Sequence, residues 1–450
     1  MQKNVLKNLS KFMNQYDVII VGGGIAGICI AEILSRDKLK ILIIEKNKKL
    51  ISEASTSQHG WFHFGSLYAI LEDNQTLKNM LDNLINIRKY YSHFNSMNLF
   101  FSKKKNFHLK FKKGWFNAEK INYYVAARND RDLKDKNYLK YLKKVYNWEK
   151  KIKLFVARHK VFQSHLGMKN FTNKISKASF MDYTRKFIVK PNLNTVNINP
   201  KTHFKILGLD RTLNTEKIVN NLVNSYLGNK GEIKFETSFK SYKLKKNFVD
   251  VLTDNGNFKS KYLINAMGRN ILNISKNKNI KNFVSPIGSF YPCLINENFV
   301  RLSPKKENTF NHLIHYHKNR KYSVVSSALS FPLKKSELIS KEIIKKSFNK
   351  ILKKNFSNFS KAQHKKIYNG IKTEFVDKQT RNYNYKIIEE DGNGKVYSVI
   401  PGKFTLSFSL AIDLYRKLFN KFPKKKSKII RTKSKHIKRI SISKHNLLWN

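Results

Sequence analysis

The stretch Tyr16–Lys46, YDVIIVGGGIAGICIAEILSRDKLKILIIEK, constrains the fold more than any other part of the chain. DVIIV is a short apolar run that reads as a buried strand. Gly22, Gly24 and Gly27 follow in the spacing G-x-G-x-x-G, and the apolar residues after them predict a helix over about 25–36. KILIIE reads as a second strand ending on Glu45. Each glycine has its own steric reason: Gly22 permits a tight turn, Gly24 lets the backbone approach a pyrophosphate, and Gly27 lets the helix pack closely on the strand. The helix would aim its positive end and its first N–H groups, those of Ile25 and Ala26, at the phosphates. Glu45, with Lys46 beside it, would accept the ribose hydroxyl protons, and an acid there disfavours the 2′-phosphate of NADP. These residues specify a dinucleotide site and leave FAD and NAD both open.

A chain of 450 residues with 41% hydrophobic and 13% aromatic content predicts a globular protein with room for two domains. No apolar run approaches the length of a membrane span. The first residues, MQKNVLKNLSKFMNQY, carry three lysines and no acid and lack the apolar centre of a secretory signal. Val5, Leu6, Leu9, Phe12 and Met13 could line one side of a short helix there. With two cysteines only, Cys29 and Cys293, a reducing, cytoplasmic setting without structural disulfides is expected. No metal is expected: His312, His315 and His317 in HLIHYH have a mixed spacing that suits a strand better than a zinc site. The net charge is +59, from 89 Lys+Arg against 30 Asp+Glu. This excess is spread along the chain with Asn, Ile and Phe enriched beside Lys, as AT-rich codons produce, and that reading is preferred to a polyanion partner. From Lys421 to Asn450 there are eleven basic residues and no acid, so weak contact with an anionic membrane or RNA is an expectation for the tail.

Two later segments decide between the nucleotides. FVDVLTDNGNFKSKYLINAMG reads as a β-meander whose last strand ends on Asn265-Ala266-Met267-Gly268. GKVYSVIPGKFTLSFSLAIDLYRKL reads as strand, turn and helix, with Gly402 at the turn. With the glycine fingerprint, these resemble the FAD-dependent oxidoreductases of the D-amino-acid oxidase type, which include glycine and sarcosine oxidases, L-2-hydroxyglutarate oxidases and glycerol-3-phosphate dehydrogenases. The resemblance covers about 16–70, 205–270 and 385–420. It implies an α/β fold with a Rossmann-like FAD-binding domain assembled from the discontinuous segments 16–70, 204–270 and 385–422. A second, mixed α+β substrate domain would take 71–203 and 271–384, between a leader at 1–15 and a basic tail at 423–450. It also implies bound FAD, oxidation of a C–H beside an amine or hydroxyl of a small molecule, and oxygen or a quinone as electron acceptor.

In that family the loop after the second strand runs under the flavin and carries small hydroxyl residues and then His-x-Gly. STSQHGWFHFG matches it with Ser55, Thr56 and Ser57, and with His63 and Gly65. His59 or His63 could carry a covalent flavin link, although noncovalent binding is expected. The resemblance also places a helix start after Gly402 at the N1–C2 edge of the flavin, with Lys403 or Thr405 as added donors. His63 is the candidate base, with Tyr68 as an alternative. Family members often place an arginine before the last strand for a substrate carboxylate; here NGIKTE puts Lys372 there, and Arg381 and Tyr383 in TRNYNY are alternatives. Lysine binds a carboxylate as a point charge, not as a rigid fork. A flavoenzyme acting on tRNA and a non-catalytic basic flavoprotein at a membrane or RNA surface are the rival readings.

Overall fold

The computed structural model describes residues 15–65, 67–68, 74–97, 99–101, 109–111, 114–126, 188–189, 203–291, 298–302, 311–315, 322–327, 330–333, 340–355, 364–377, 380–427 and 439–441. The short helix expected between Val5 and Met13, Cys293, His317 and the side chain of Arg381 lie outside them. The chain divides into two compact units, residues 1–56, 215–282 and 371–443 in the first and 57–214, 283–370 and 444–450 in the second.

In the first unit the fingerprint forms β1 (Gln15–Val21), α1 (Ile25–Ser35) and β2 (Ile41–Ile44). β1 and β2 are parallel, with Val18 beside Ile41, so α1 is the crossover that parallel pairing requires. Every residue of α1 is buried, as a helix apolar apart from Glu32 and Ser35 demands. It packs against α2 (Thr215–Gly228) and α3 (Ser407–Phe419). β3 (Glu232–Lys234) joins β2 in parallel. β4 (Phe239–Leu244), β5 (Val249–Thr253) and β6 (Gly256–Asn265) form the antiparallel meander expected from the sequence.

The second half of β6 outruns β5 and takes two parallel neighbours. Val18 of β1 lies beside Tyr262, and Asn265 lies beside Ser398 of β8 (Val396–Ile400), which forms a hairpin with β7 (Lys386–Glu389). The burial of β6 follows: its first half alternates, while Leu263, Ile264 and Asn265 are all buried. The resulting order is β4–β5–β6–β1–β2–β3, with β8 on β6. The carboxyl ends of β1, β2, β3, β6 and β8 therefore share one edge of the sheet.

One buried ion pair seals the other end of α1. Arg36 meets Glu32 at 2.6 Å, one turn apart, with both side chains fully excluded from solvent. Ser225 Oγ donates to Glu32 at 2.8 Å, and Arg36 Nη1 donates to the Lys424 carbonyl at 3.0 Å. Ser427 Oγ lies 2.6 Å from Ser225 Oγ and accepts from Asn229 Nδ2. Residues 424–427 are thereby fixed against α1 and α2.

The second unit is a mixed sheet with an aromatic core. Strand Phe116–Ala126 pairs antiparallel with His203–Leu213 and parallel with Asn298–Leu302. Asn311–His315 and Ser323–Ser327 continue the sheet, and the first of these is the strand expected around His312 and His315. The amphipathic stretch after Asn74 forms a helix, Asn74–Tyr91, which buries Leu77, Leu81, Leu84 and Tyr91. Phe62, Phe64 and Phe116 meet with ring centroids 4.7–5.5 Å apart, and Trp115 is fully buried beside Phe116.

Candidate active site

Gly22 has φ +112°, and a Cβ there would come within 2.4 Å of the Ala266 carbonyl oxygen at the end of β6. The position thus excludes a side chain both by conformation and by space. At Gly27 a Cβ would meet the Gly22 carbonyl at 2.1 Å, which is the close helix–strand packing read from the spacing. Above Gly24, by contrast, only Ser55 Oγ lies in reach, at 3.5 Å. α1 starts after Gly24 with no side-chain cap and no acid in its first turn. Ile25 N–H is taken by Ser55 Oγ at 3.0 Å, and the helix start at Ala26 and Gly27 presents donors of the kind that bind phosphate.

Glu45 follows β2 and is 6% exposed. Its Oε2 accepts the Gly23 N–H at 2.8 Å, and its Oε1 accepts the Asn47 N–H and Nδ2, both at 2.8 Å. An ionised carboxylate has about four acceptor positions, so one on Oε2 is left for a hydroxyl proton. Burial pushes the Glu45 carboxyl above the usual range, against the pull of those N–H donors. Lys46 pairs with Glu53 at 3.1 Å, and Arg269, directly after Gly268, meets the same carboxylate at 2.9 Å. Gly268 itself has φ +56°.

At the same sheet edge β8 runs into Gly402, φ +63°, where a Cβ would fall 2.4 Å from the Tyr383 carbonyl. A short 3-10 turn, Phe404–Leu406, then leads into α3. Lys403 Nζ lies 4.4 Å over the Tyr383 ring, and Thr405 is buried. Asn265, buried at the end of β6, ties these segments together through Nδ2, which donates to the Ile271 carbonyl at 2.9 Å and Ser398 Oγ at 2.8 Å.

The first unit thus gathers Gly22, Gly24, Ile25, Ala26, Gly27, Glu45, Lys46, Ser55, Thr56, Gly268, Gly402, Lys403 and Thr405. Lys372, half-buried on strand His364–Asp377, and Arg381, beside Val376 on the next strand, also belong to it. Ser57, His59 and His63 belong to the second unit. There His63 is 6% exposed, 4.2 Å from the Trp61 ring and 5.5 Å from the Tyr68 ring by centroids. Its segment is anchored by a group that sequence reasoning missed. Phe64 N–H donates to Asp210 Oδ1 at 2.5 Å, and Tyr123 OH donates to the other oxygen of the same buried carboxylate. Burial and the neighbouring Asp210 charge hold the Tyr123 phenol well above its ordinary pKa. Burial also pushes Arg211 down to about 10.

The residues fit a dinucleotide: a side-chain-free turn, a helix start with no acid in its first turn, and a buried carboxylate with one acceptor position left. The model of the FAD dependent oxidoreductase family matches residues 17–291. The chain belongs to the FAD-dependent oxidoreductase family. FAD is its cofactor, and it is an enzyme of the oxidase or dehydrogenase kind. Three solved structures of the family's fold are similar to this oxidoreductase. The FAD-bound, dithionite-reduced L-alpha-glycerophosphate oxidase of Mycoplasma pneumoniae has 18% identity and TM-score 0.56, over 91% of this chain and 96% of that one. The glycine oxidase of Geobacillus kaustophilus has 12% identity and TM-score 0.54, over 94% and 100%. The L-proline dehydrogenase of P. horikoshii has 13% identity and TM-score 0.53, over 92% and 95%. At these identities the likeness is one of fold. No curated protein matches the chain by sequence. Among the described residues no helix of the oxidoreductase is long and apolar enough to cross a membrane.

Proposed function

We propose that this flavoenzyme oxidises the C–H bond beside an amine or hydroxyl of a small metabolite, with oxygen or a quinone as the electron acceptor. The observation that carries the reading is the shared sheet edge at which the fingerprint, Gly268 and the Gly402 turn follow β1, β6 and β8. In this reading the first unit is a Rossmann-like FAD-binding domain and the second is the substrate domain. FAD, when bound, would supply the electron sink, a hydride acceptor at N5. Gly22, Gly24 and the N–H groups at the start of α1 hold the pyrophosphate, and Glu45 takes a ribose hydroxyl. Ser55, Thr56, Ser57 and His59 belong to the loop that runs along the cofactor. The backbone after Gly402, with Lys403 or Thr405, stabilises charge where it grows during reduction. His63 accepts the proton of the substrate hydroxyl or ammonium, since imidazole titrates near neutral pH. Lys372 or Arg381 provides the cation for an anionic substrate group.

The test is anaerobic reduction of the purified protein with amino acids, N-methyl amino acids, 2-hydroxy acids and glycerol 3-phosphate, followed by flavin absorption. Bleaching by one of them supports the reading and names the substrate class. A flavin inert to all of them overturns it and favours a non-catalytic flavoprotein, and bleaching only in the presence of tRNA favours the RNA-directed alternative.

A further inference from the structure

Residues 439–441 return to the nucleotide motif. Leu50 N–H donates to the Arg439 carbonyl at 2.8 Å and Ser441 N–H donates to the Leu50 carbonyl at 3.1 Å, forming a parallel bridge between Leu50 and Ile440. The Ser52 and Ser441 hydroxyls meet at 3.0 Å, and the Arg439 guanidinium lies 5.0 Å over the Phe235 ring. Leu50 and Ile440 are both buried.

The segment fastened in this way is the one that closes on the fingerprint. Ile51 N–H donates to the Gly23 carbonyl at 2.9 Å, and Ser55 Oγ accepts the Ile25 N–H at 3.0 Å. Leu50 packs so tightly there that a Cβ on Gly23 would meet its Cδ2 at 2.4 Å. Ile51 has φ +52°, a left-handed conformation that β-branched residues rarely adopt. Such a conformation persists only where surrounding contacts over-determine it. Both main-chain bonds from 439–441 fall on Leu50, the residue directly before the strained one.

We propose that segment 439–441 is part of the cofactor site: it holds residues 47–56 in the one conformation that keeps Gly23, the start of α1 and Glu45 in place for the adenosine and pyrophosphate half of FAD. Its role is positioning, and none of its residues needs to touch the cofactor. The inference rests on FAD binding at the fingerprint.

The experiment titrates apoprotein with FAD and follows flavin fluorescence, for the full chain, a chain stopped after Lys438, a chain stopped after Ile442, and Ser441→Pro, which removes the Ser441 N–H donor and its hydroxyl contact with Ser52. Stopping after Lys438 is expected to raise the Kd for FAD about tenfold or more, which is ~1.4 kcal/mol. Ser441→Pro is expected to raise it about threefold, and stopping after Ile442 to leave it unchanged. Coupling is reciprocal, so FAD should slow amide hydrogen exchange at Leu50 and Ser441 in the full chain. Equal affinity in Ser441→Pro and the full chain, with exchange at both amides unaffected by FAD, overturns the proposal even if the Lys438 truncation fails to fold. A full chain that takes up no FAD overturns the flavin reading itself.

Discussion

Glu45 holds three N–H donors, yet its carboxyl lies above its usual range because burial outweighs them. The sign of the consequence differs for stability and for binding. A raised folded pKa means that the folded state binds this proton more tightly, so its contribution to stability is complete below the unfolded pKa and is lost as pH rises through the folded one. Cofactor affinity runs the other way, because only the ionised carboxylate accepts a hydroxyl proton on all its oxygens. Lowering the pH from neutral toward the carboxylate range should therefore weaken FAD binding while Glu45's own contribution to the apoprotein's urea resistance grows, a trend read as the difference between the parent and Glu45→Gln. Glu45→Gln should flatten both trends, and Glu45→Ala should weaken FAD binding by about 1–3 kcal/mol, read by fluorescence titration. At His63 the expected outcome is kinetic. His63→Gln should keep FAD and slow anaerobic flavin reduction by about 10²-fold or more, whereas a parent rate moves the base to Tyr68 or another group. Asp210→Asn replaces an acceptor shared by Phe64 N–H and Tyr123 OH with an amide that can satisfy only one of them as acceptor. It should destabilise the fold by about 1–3 kcal/mol in denaturant titrations.

α1 is short, wholly buried and polar only near its end, so its stability depends on how that end is satisfied. Arg36→Ala would leave the buried Glu32 carboxyl without its cation, with a hydroxyl as its remaining named donor. A loss of about 3–5 kcal/mol is expected in urea unfolding, far more than a surface arginine would give. The replacement of both partners by apolar residues should recover much of it. The elements that build the first sheet were legible in the sequence for local reasons: VIIV and ILII are strand-sized apolar runs, G-x-G-x-x-G fixes a turn, and DNG closes the meander. The helix at Asn74–Tyr91 was legible from apolar residues three and four apart. Strand His203–Leu213 was not. It buries Asp210 and Arg211, which by type belong on a surface, and the phenol that satisfies Asp210 is 87 residues away. A partner that distant leaves no periodic trace in the chain.

At the scale of the molecule the +59 charge acts through solvent. Adhesion to anionic vesicles or RNA, if charge alone drives it, should fall steeply as salt rises past about 0.15 M, where the Debye length is about 8 Å. Sedimentation with vesicles at two ionic strengths measures this; salt-insensitive binding would require a specific site. The basic C-terminal stretch shows the limit of reading a composition. A run of lysines looks solvated throughout, but Lys424 and Lys425 turn their carbonyls to Arg36, and Ile440 lies beside Leu50. Main-chain bonds of that kind carry no side-chain signature. The same connectivity governs how the enzyme can be born. β1 precedes its partner β6 by more than two hundred residues, and β8 and Ile440 come later still. A nascent chain on the ribosome holds a glycine fingerprint with only β2 beside it, and the loop closures that complete the sheet come last. The sheet edge that would take the cofactor is thus incomplete until β8 has been made, and until α2 and α3 follow, α1 exposes apolar residues that chaperones would have to shield.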